Sequence, residues 1–541
     1  MTLPSTPLRA GAPLLLVVFL PLLPLTPSAS HASGASGASG APSAPASNAN
    51  AQSTDSKEAQ SPREGGRRKG AGAGEGRGGG RARPEDAPLD DVRFLFKTEV
   101  PPHPLDVVLG RPSARSITAS ILAFENREGF LEYGTQPGKW SAKTPPFALS
   151  SGEPAEILLE GLQPDTSYVY RLQTRPRSGG AWSAEPERHF HTQRSPGHPF
   201  TFTLQADSHL DYNTDPPLYL RCLQNMQADR PDFLIDLGDT FMNDKHRTRE
   251  AISAHYLAQR FYLGQITHSV PLFLVLGNHD GEAGRWLDGT RENLAVWSNL
   301  QRKRFYPNPI PGGIYTGNTT PDPQAGLLQN YYAWEWGDAL FIALDPFWFT
   351  ARQRGGEDNW SRTLGREQYL WLQKTLEQSR APFRFVFLHH LVGGIGKDAR
   401  GGLEAAGLYE WGGHEPDGAS LFSQKRPGWP MPIHQLLLKH RVNAVFHGHD
   451  HLYVHQELDG IVYQEVPQPG HARYDNTRSA AEYGYRSGTI QGSSGHLRVQ
   501  VAPQKTVVEY VRSYLPADER AERRNGAVTH RYELLPRPAS P

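Results

Sequence analysis

Past residue 91 the apolar residues fall into two patterns, and each predicts a different architecture. Between residues 92 and 192 they form short runs: Asp106-Val107-Val108-Leu109, Ser116-Ile117-Thr118-Ala119-Ser120-Ile121, Ala155-Glu156-Ile157-Leu158-Leu159 and Tyr168-Val169-Tyr170-Arg171-Leu172. Gly, Pro and Asn or Asp separate these runs at intervals that suit an all-β sandwich, predicted over residues 92–195. From residue 199 to 514 the pattern changes. Runs 202–204, 233–237, 272–276, 340–344, 385–388 and 444–446 are apolar apart from Thr203 and Asp236, the pattern of strands buried on both faces. Segments 218–228, 249–263 and 366–378 carry helical spacing between them. This alternation predicts βαβ units in an α/β domain. Residues 495–514 return to polar and apolar alternation and read as a closing hairpin on that domain's sheet, and residues 515–541 read as a charged, Pro-rich, partly ordered tail.

The first ninety residues read as an address and a spacer. Arg9, the apolar run 14–25 and the small residues Ser28-Ala29-Ser30 follow the order of a secretory signal peptide, predicted over residues 1–30, and imply a secreted or periplasmic protein. The run is too short and too Pro-broken to cross a bilayer, and no later apolar stretch is long enough, so no membrane span is expected after signal removal. Residues 31–91 are Ala, Gly, Ser, Arg and Glu with almost no large apolar side chain, which predicts a disordered spacer. Its Arg-Gly stretch, 67–83, has acidic residues interleaved, which weighs against an RNA-binding tail.

Composition narrows the chemistry. Lys and Arg number 56 and Asp and Glu 56, so the formal charge is zero and nothing points to nucleic-acid recognition. Gly 54 and Pro 46 argue for loops and turns and against a helical bundle. The one cysteine, Cys222, excludes an intramolecular disulfide and a cysteine-built zinc site, and its place in a helical segment reads as packing. Any metal must be held by His, Asp and Asn.

Residues of those types stand directly after five of the apolar runs: Asp207-Ser208-His209, Gly238-Asp239, Gly277-Asn278-His279-Asp280, His389-His390 and Gly448-His449-Asp450-His451. In open α/β sheets this carboxyl edge is where ligands bind. Each motif alone is a common turn; five in this order are not five structural turns.

This order of motifs resembles the calcineurin-like metallophosphoesterase superfamily. With the preceding sandwich, whose segment Leu162-Gln163-Pro164-Asp165-Thr166-Ser167-Tyr168 looks like a fibronectin type III corner, it resembles the purple acid phosphatase branch. The resemblance implies an α/β metallophosphoesterase sandwich of two mixed sheets flanked by helices, preceded by a fibronectin III-like sandwich. It implies one metal on Asp207, His209 and His451, a second on Asn278, His389 and His449, Asp239 bridging both, and His279 as the catalytic histidine beside them. His389 is preferred over His390 because the family uses the first residue after the strand. Purple acid phosphatases place a ferric-binding tyrosine three residues after the bridging aspartate. Met242 stands there, so Mn, Zn, Fe or a mixed-valence pair all remain open.

The implied chemistry is hydrolysis. Two cations about 3.5 to 4 Å apart turn a bridging water into hydroxide near neutral pH, which attacks phosphorus in line while His279 protonates the leaving oxygen. The reading is an exported phosphomonoesterase acting on a phosphorylated small molecule or nucleotide. A phosphodiesterase or nucleotide hydrolase is the enzymatic alternative, and a binding protein with an inactive second domain is the alternative of another class. Candidate substrate residues are His246, Arg285, His390 and His414, with Glu410 beside the last.

Overall fold

The computed structural model describes residues 87–88, 90–351 and 358–538. The expected signal peptide and nearly all of the expected spacer lie outside the described residues.

The β-branched runs pair as antiparallel sheets. Leu105–Gly110, Ser116–Ala123 and Ala155–Glu160 form a three-stranded sheet, with Ser116–Ala123 in the middle. A second sheet is built around Arg127–Gly134 and Ser167–Pro176. Alternate residues of both, among them Ile117, Ile121, Leu131, Leu159, Tyr170 and Phe190, close a core between them. At the predicted corner the Tyr168 hydroxyl accepts the Gln163 N–H at 2.9 Å, fixing the turn between two strands.

The larger domain stacks two mixed sheets between helices. In one, Leu272–Leu274, Phe233–Asp236 and Phe200–Gln205 run parallel, and Gly495–Ala502, Lys505–Arg512 and Val528–Leu534 continue it antiparallel. The other has eight strands, of which Ala339–Ala343, Phe383–Phe387, Ala444–His447 and Ile461–Glu465 are parallel. The faces that meet are strongly aromatic: Phe202, Phe233, Phe273, Trp334, Phe341, Phe385 and Phe446 are all buried there. Phe273 and Trp334 stack at 4.0 Å between ring centres. Helices Pro216–Ala228, Arg249–Thr267 and Leu294–Phe305 cover the outer face of the first sheet, and Gly365–Gln378 and Ile433–Lys439 that of the second. Cys222 packs under the first helix, fully buried.

Both sheets therefore bring the carboxyl ends of parallel strands to one edge, three from one sheet and two from the other, and the five motifs follow those ends. The sandwich is joined to this domain by Arg260, fully buried, whose guanidinium meets Asp106 Oδ1 at 2.7 Å and Ser120 Oγ at 3.1 Å. One expectation is corrected. Within the expected tail, Val528–Leu534 is an edge strand paired to Lys505–Arg512. Its polar residues face solvent on one side of the ladder, which gave it the composition of a tail.

Candidate metal centre

The loops after the strands are pressed together, backbone on backbone. A Cβ on Gly238 would lie 2.2 Å from Gly277 N, and one on Gly277 would lie 2.0 Å from Asp239 N, so both motifs need glycine for this contact. Asp280 ties the same loops: its carboxylate accepts the N–H groups of Asp239, Thr240, Phe241 and Gly277 at 2.8 to 3.0 Å. Asp207, His209, Asp239, His449 and His451 all have left-handed backbone, with φ between 42° and 84°. Such strain gathers where side chains must be aimed against local preference.

Two clusters result: Asp207 with His209 and His451, and Asp239 with His389 and His449. His209 Nε2 and His451 Nε2 each lie 3.5 Å from Asp207 Oδ1. His389 Nε2 lies 3.2 Å from Asp239 Oδ2, and His209 Nε2 lies 3.7 Å from that same oxygen, so Asp239 faces both clusters. The remaining ring atoms are fixed from outside. His389 Nδ1 bonds the Leu237 carbonyl at 2.9 Å, and His209 Nδ1 meets Asp211 at 3.3 Å. His449 Nε2 bonds the Asp398 carbonyl at 2.6 Å, which leaves its Nδ1 for the centre.

The inward atoms lack hydrogen bonds. Asp207 Oδ1, His209 Nε2, Asn278 Oδ1 and His389 Nε2 are buried without a hydrogen bond. Leaving four such atoms together is costly unless a cation satisfies them, and carboxylate, imidazole and amide oxygen are a donor set for Mn, Zn or Fe. Electrostatics agree. Burial raises the Asp239 carboxyl, but His389 and His279 outweigh it and hold the group well below the usual range. Burial lowers His389, yet Asp239 and Asp207 push it up to about 9, so it holds a proton that a metal would displace.

Residues 200–453 match the calcineurin-like phosphoesterase family model. This segment is similar to the calcineurin-like phosphoesterases. Two solved structures share its fold. PhoD superposes with a TM-score of 0.53 at 15% identity over 75% of this chain and 85% of its own. The purple acid phosphatase PPD1 from yellow lupin (Lupinus luteus) seeds does so with a TM-score of 0.51 at 16% identity over 79% of this chain and 73% of its own. No curated protein matches the chain.

Beside the clusters the larger domain has a pocket of about 70 Å³, which Asn278, His279 and His449 line together with Arg285 and His390. His279 Nδ1 meets Asp244 Oδ1 at 2.8 Å, and its N–H donates to Asp239 Oδ1 at 2.7 Å. Arg285 reaches the Asn278 carbonyl at 3.2 Å. Three substrate candidates belong elsewhere. His246 turns away to His255 at 2.8 Å and packs on Phe96. His414 meets the Gly412 and Gly407 carbonyls at 3.0 and 3.3 Å, outside the pocket. Glu410 is buried against Arg426 and accepts the Leu364 N–H at 2.8 Å. Position after a motif does not fix the direction of a side chain. Met242 is buried where the ferric-binding tyrosine would stand, and it brings no oxygen donor. Asp244, Asp398 and Arg400 were not singled out from the sequence; only Asp280, closing the Gly-Asn-His-Asp motif, had a signal there.

Proposed function

We propose that this chain is an exported phosphomonoesterase with a dinuclear metal centre, and the observation that carries the reading is the convergence of unpaired ligand atoms beside a basic pocket. Asp207, His209 and His451 would hold one ion, Asn278, His389 and His449 the other, and Asp239 would contact both. When bound, two such cations supply an activated water and neutralise charge on the phosphoryl oxygens. The other roles belong to the chain. Asp244 engages His279 Nδ1 and so reserves Nε2 for the proton given to the leaving oxygen. Phe347 and Pro346 line the same pocket and limit water there. The basic lining favours a dianionic monoester over a monoanionic diester. Met242 speaks for Mn, Zn or ferrous iron over a ferric site. We read the β-sandwich as fibronectin III-like, on its Tyr168 corner.

Matched chromogenic phosphomonoester and phosphodiester substrates, offered to protein loaded in turn with Mn, Zn and Fe, test this. The expected result is a strong monoester preference that chelation abolishes. A diester preference would make it a phosphodiesterase, and silence on both with metal bound would indicate a binding role. His279→Ala should lower turnover by about 10² to 10⁴ with metal content retained; loss of metal in step with turnover would refute the assigned role.

A further inference from the structure

The pocket beside the metal centre is more basic than a single phosphoryl group requires. Arg285, Arg362, Lys397 and Arg400 line it, against one carboxylate, Asp398. Among the described residues, carboxylates outside the lining meet Arg285 (Asp244 at 3.4 Å) and Arg400 (Asp450 at 3.1 Å). Arg362 is fixed in place, donating to Asn359 Oδ1 at 2.5 Å and to the Lys397 carbonyl, and so braces the loop that carries Lys397. The Lys397 ammonium is exposed at the pocket and has no hydrogen-bond or ion-pair partner among the described residues. A concave, narrow site concentrates the field of such a charge.

We propose that Lys397, on the loop that Arg362 braces, forms a second anion subsite, so that the leaving group of the natural substrate carries a further phosphate or carboxylate close to the scissile phosphate. This rests on the phosphomonoesterase reading of the same pocket and narrows its substrates to small, multiply anionic phosphate esters.

Binding to the metal-loaded protein, measured by calorimetry with the non-hydrolysable probes methylphosphonate, phosphonoacetate and methylenediphosphonate, tests it. Lys397→Gln should weaken a doubly anionic probe by about tenfold, with a loss at least about fivefold smaller for methylphosphonate, and Lys397→Arg should restore most of the difference. Loss confined to phosphonoacetate or to methylenediphosphonate identifies the second group as carboxylate or phosphate. Equal loss for all three probes, or none for any, overturns the subsite. Turnover plays no part in this readout, so failure to hydrolyse monoesters with discrimination intact would sink the phosphomonoesterase reading and not the subsite.

Discussion

Asn278 and Glu282 stand in the same segment after strand Leu272–Leu274, yet they serve buried polar clusters of opposite character. Glu282 meets Arg302 twice, at 2.6 and 2.9 Å, and also accepts Asn299 at 2.8 Å. The Arg302 guanidinium completes its bonds on the carbonyls of Leu328 and Gln329, at 2.8 and 3.0 Å. Around Asp207 and Asp239 the charges are equally buried, but Asp207 Oδ1, His209 Nε2, Asn278 Oδ1 and His389 Nε2 make no hydrogen bond. Buried charge alone does not mark a site, since the Arg302 pair is structural. Unpaired buried donors and acceptors on strained backbone mark one.

The two clusters should respond in opposite ways to loss of a member. Asp239→Asn should lower hydrolysis by about 10³ or more, beyond the effect of His451→Ala, because Asp239 faces both clusters and His451 only one. Arg302→Met should instead lower stability by about 3 to 5 kcal/mol through the stranded Glu282, and the urea midpoint measures it. A urea midpoint equal to that of the wild type would dissolve the distinction between the clusters.

A smaller effect comes from buried imidazoles away from the metal ligands. Burial pushes His246 and His268 down to about 4, so the fold holds both neutral. The unfolded chain takes up these protons near pH 6.5, so stability is lost as pH falls from 6.5 towards 4, by up to about 1.4 kcal/mol per pH unit for each histidine. Thermal unfolding of metal-free protein at pH 7 and pH 5 checks the sign. An unchanged midpoint would contradict it.

Much of the larger domain was legible because its strands are buried on both faces: runs such as 272–276 and 385–388 have no polar residue to hide the pattern, and the motifs follow their ends. Edge elements were less legible. Val528–Leu534 alternates exposed Thr529, Arg531 and Glu533 with less exposed neighbours, which in sequence resembles a solvated tail. At the site, the residues named by the motifs gather, while the groups that fix them do not announce themselves. Asp244 holds His279 from a 3-10 turn well before it, and Asp398 bonds His449 from a loop far upstream. His246 and His414 show the converse: each follows a motif-rich stretch, and each spends its ring on local partners.

The central claim is that the unpaired cluster is a two-metal site. Metal content per chain after reconstitution of metal-free protein, by elemental analysis, tests it most directly. The account predicts two ions per wild-type chain and fewer in Asp239→Asn, with hydrolysis following occupancy. A folded wild-type protein that retains no metal, or that hydrolyses phosphomonoesters fully without it, would contradict the account.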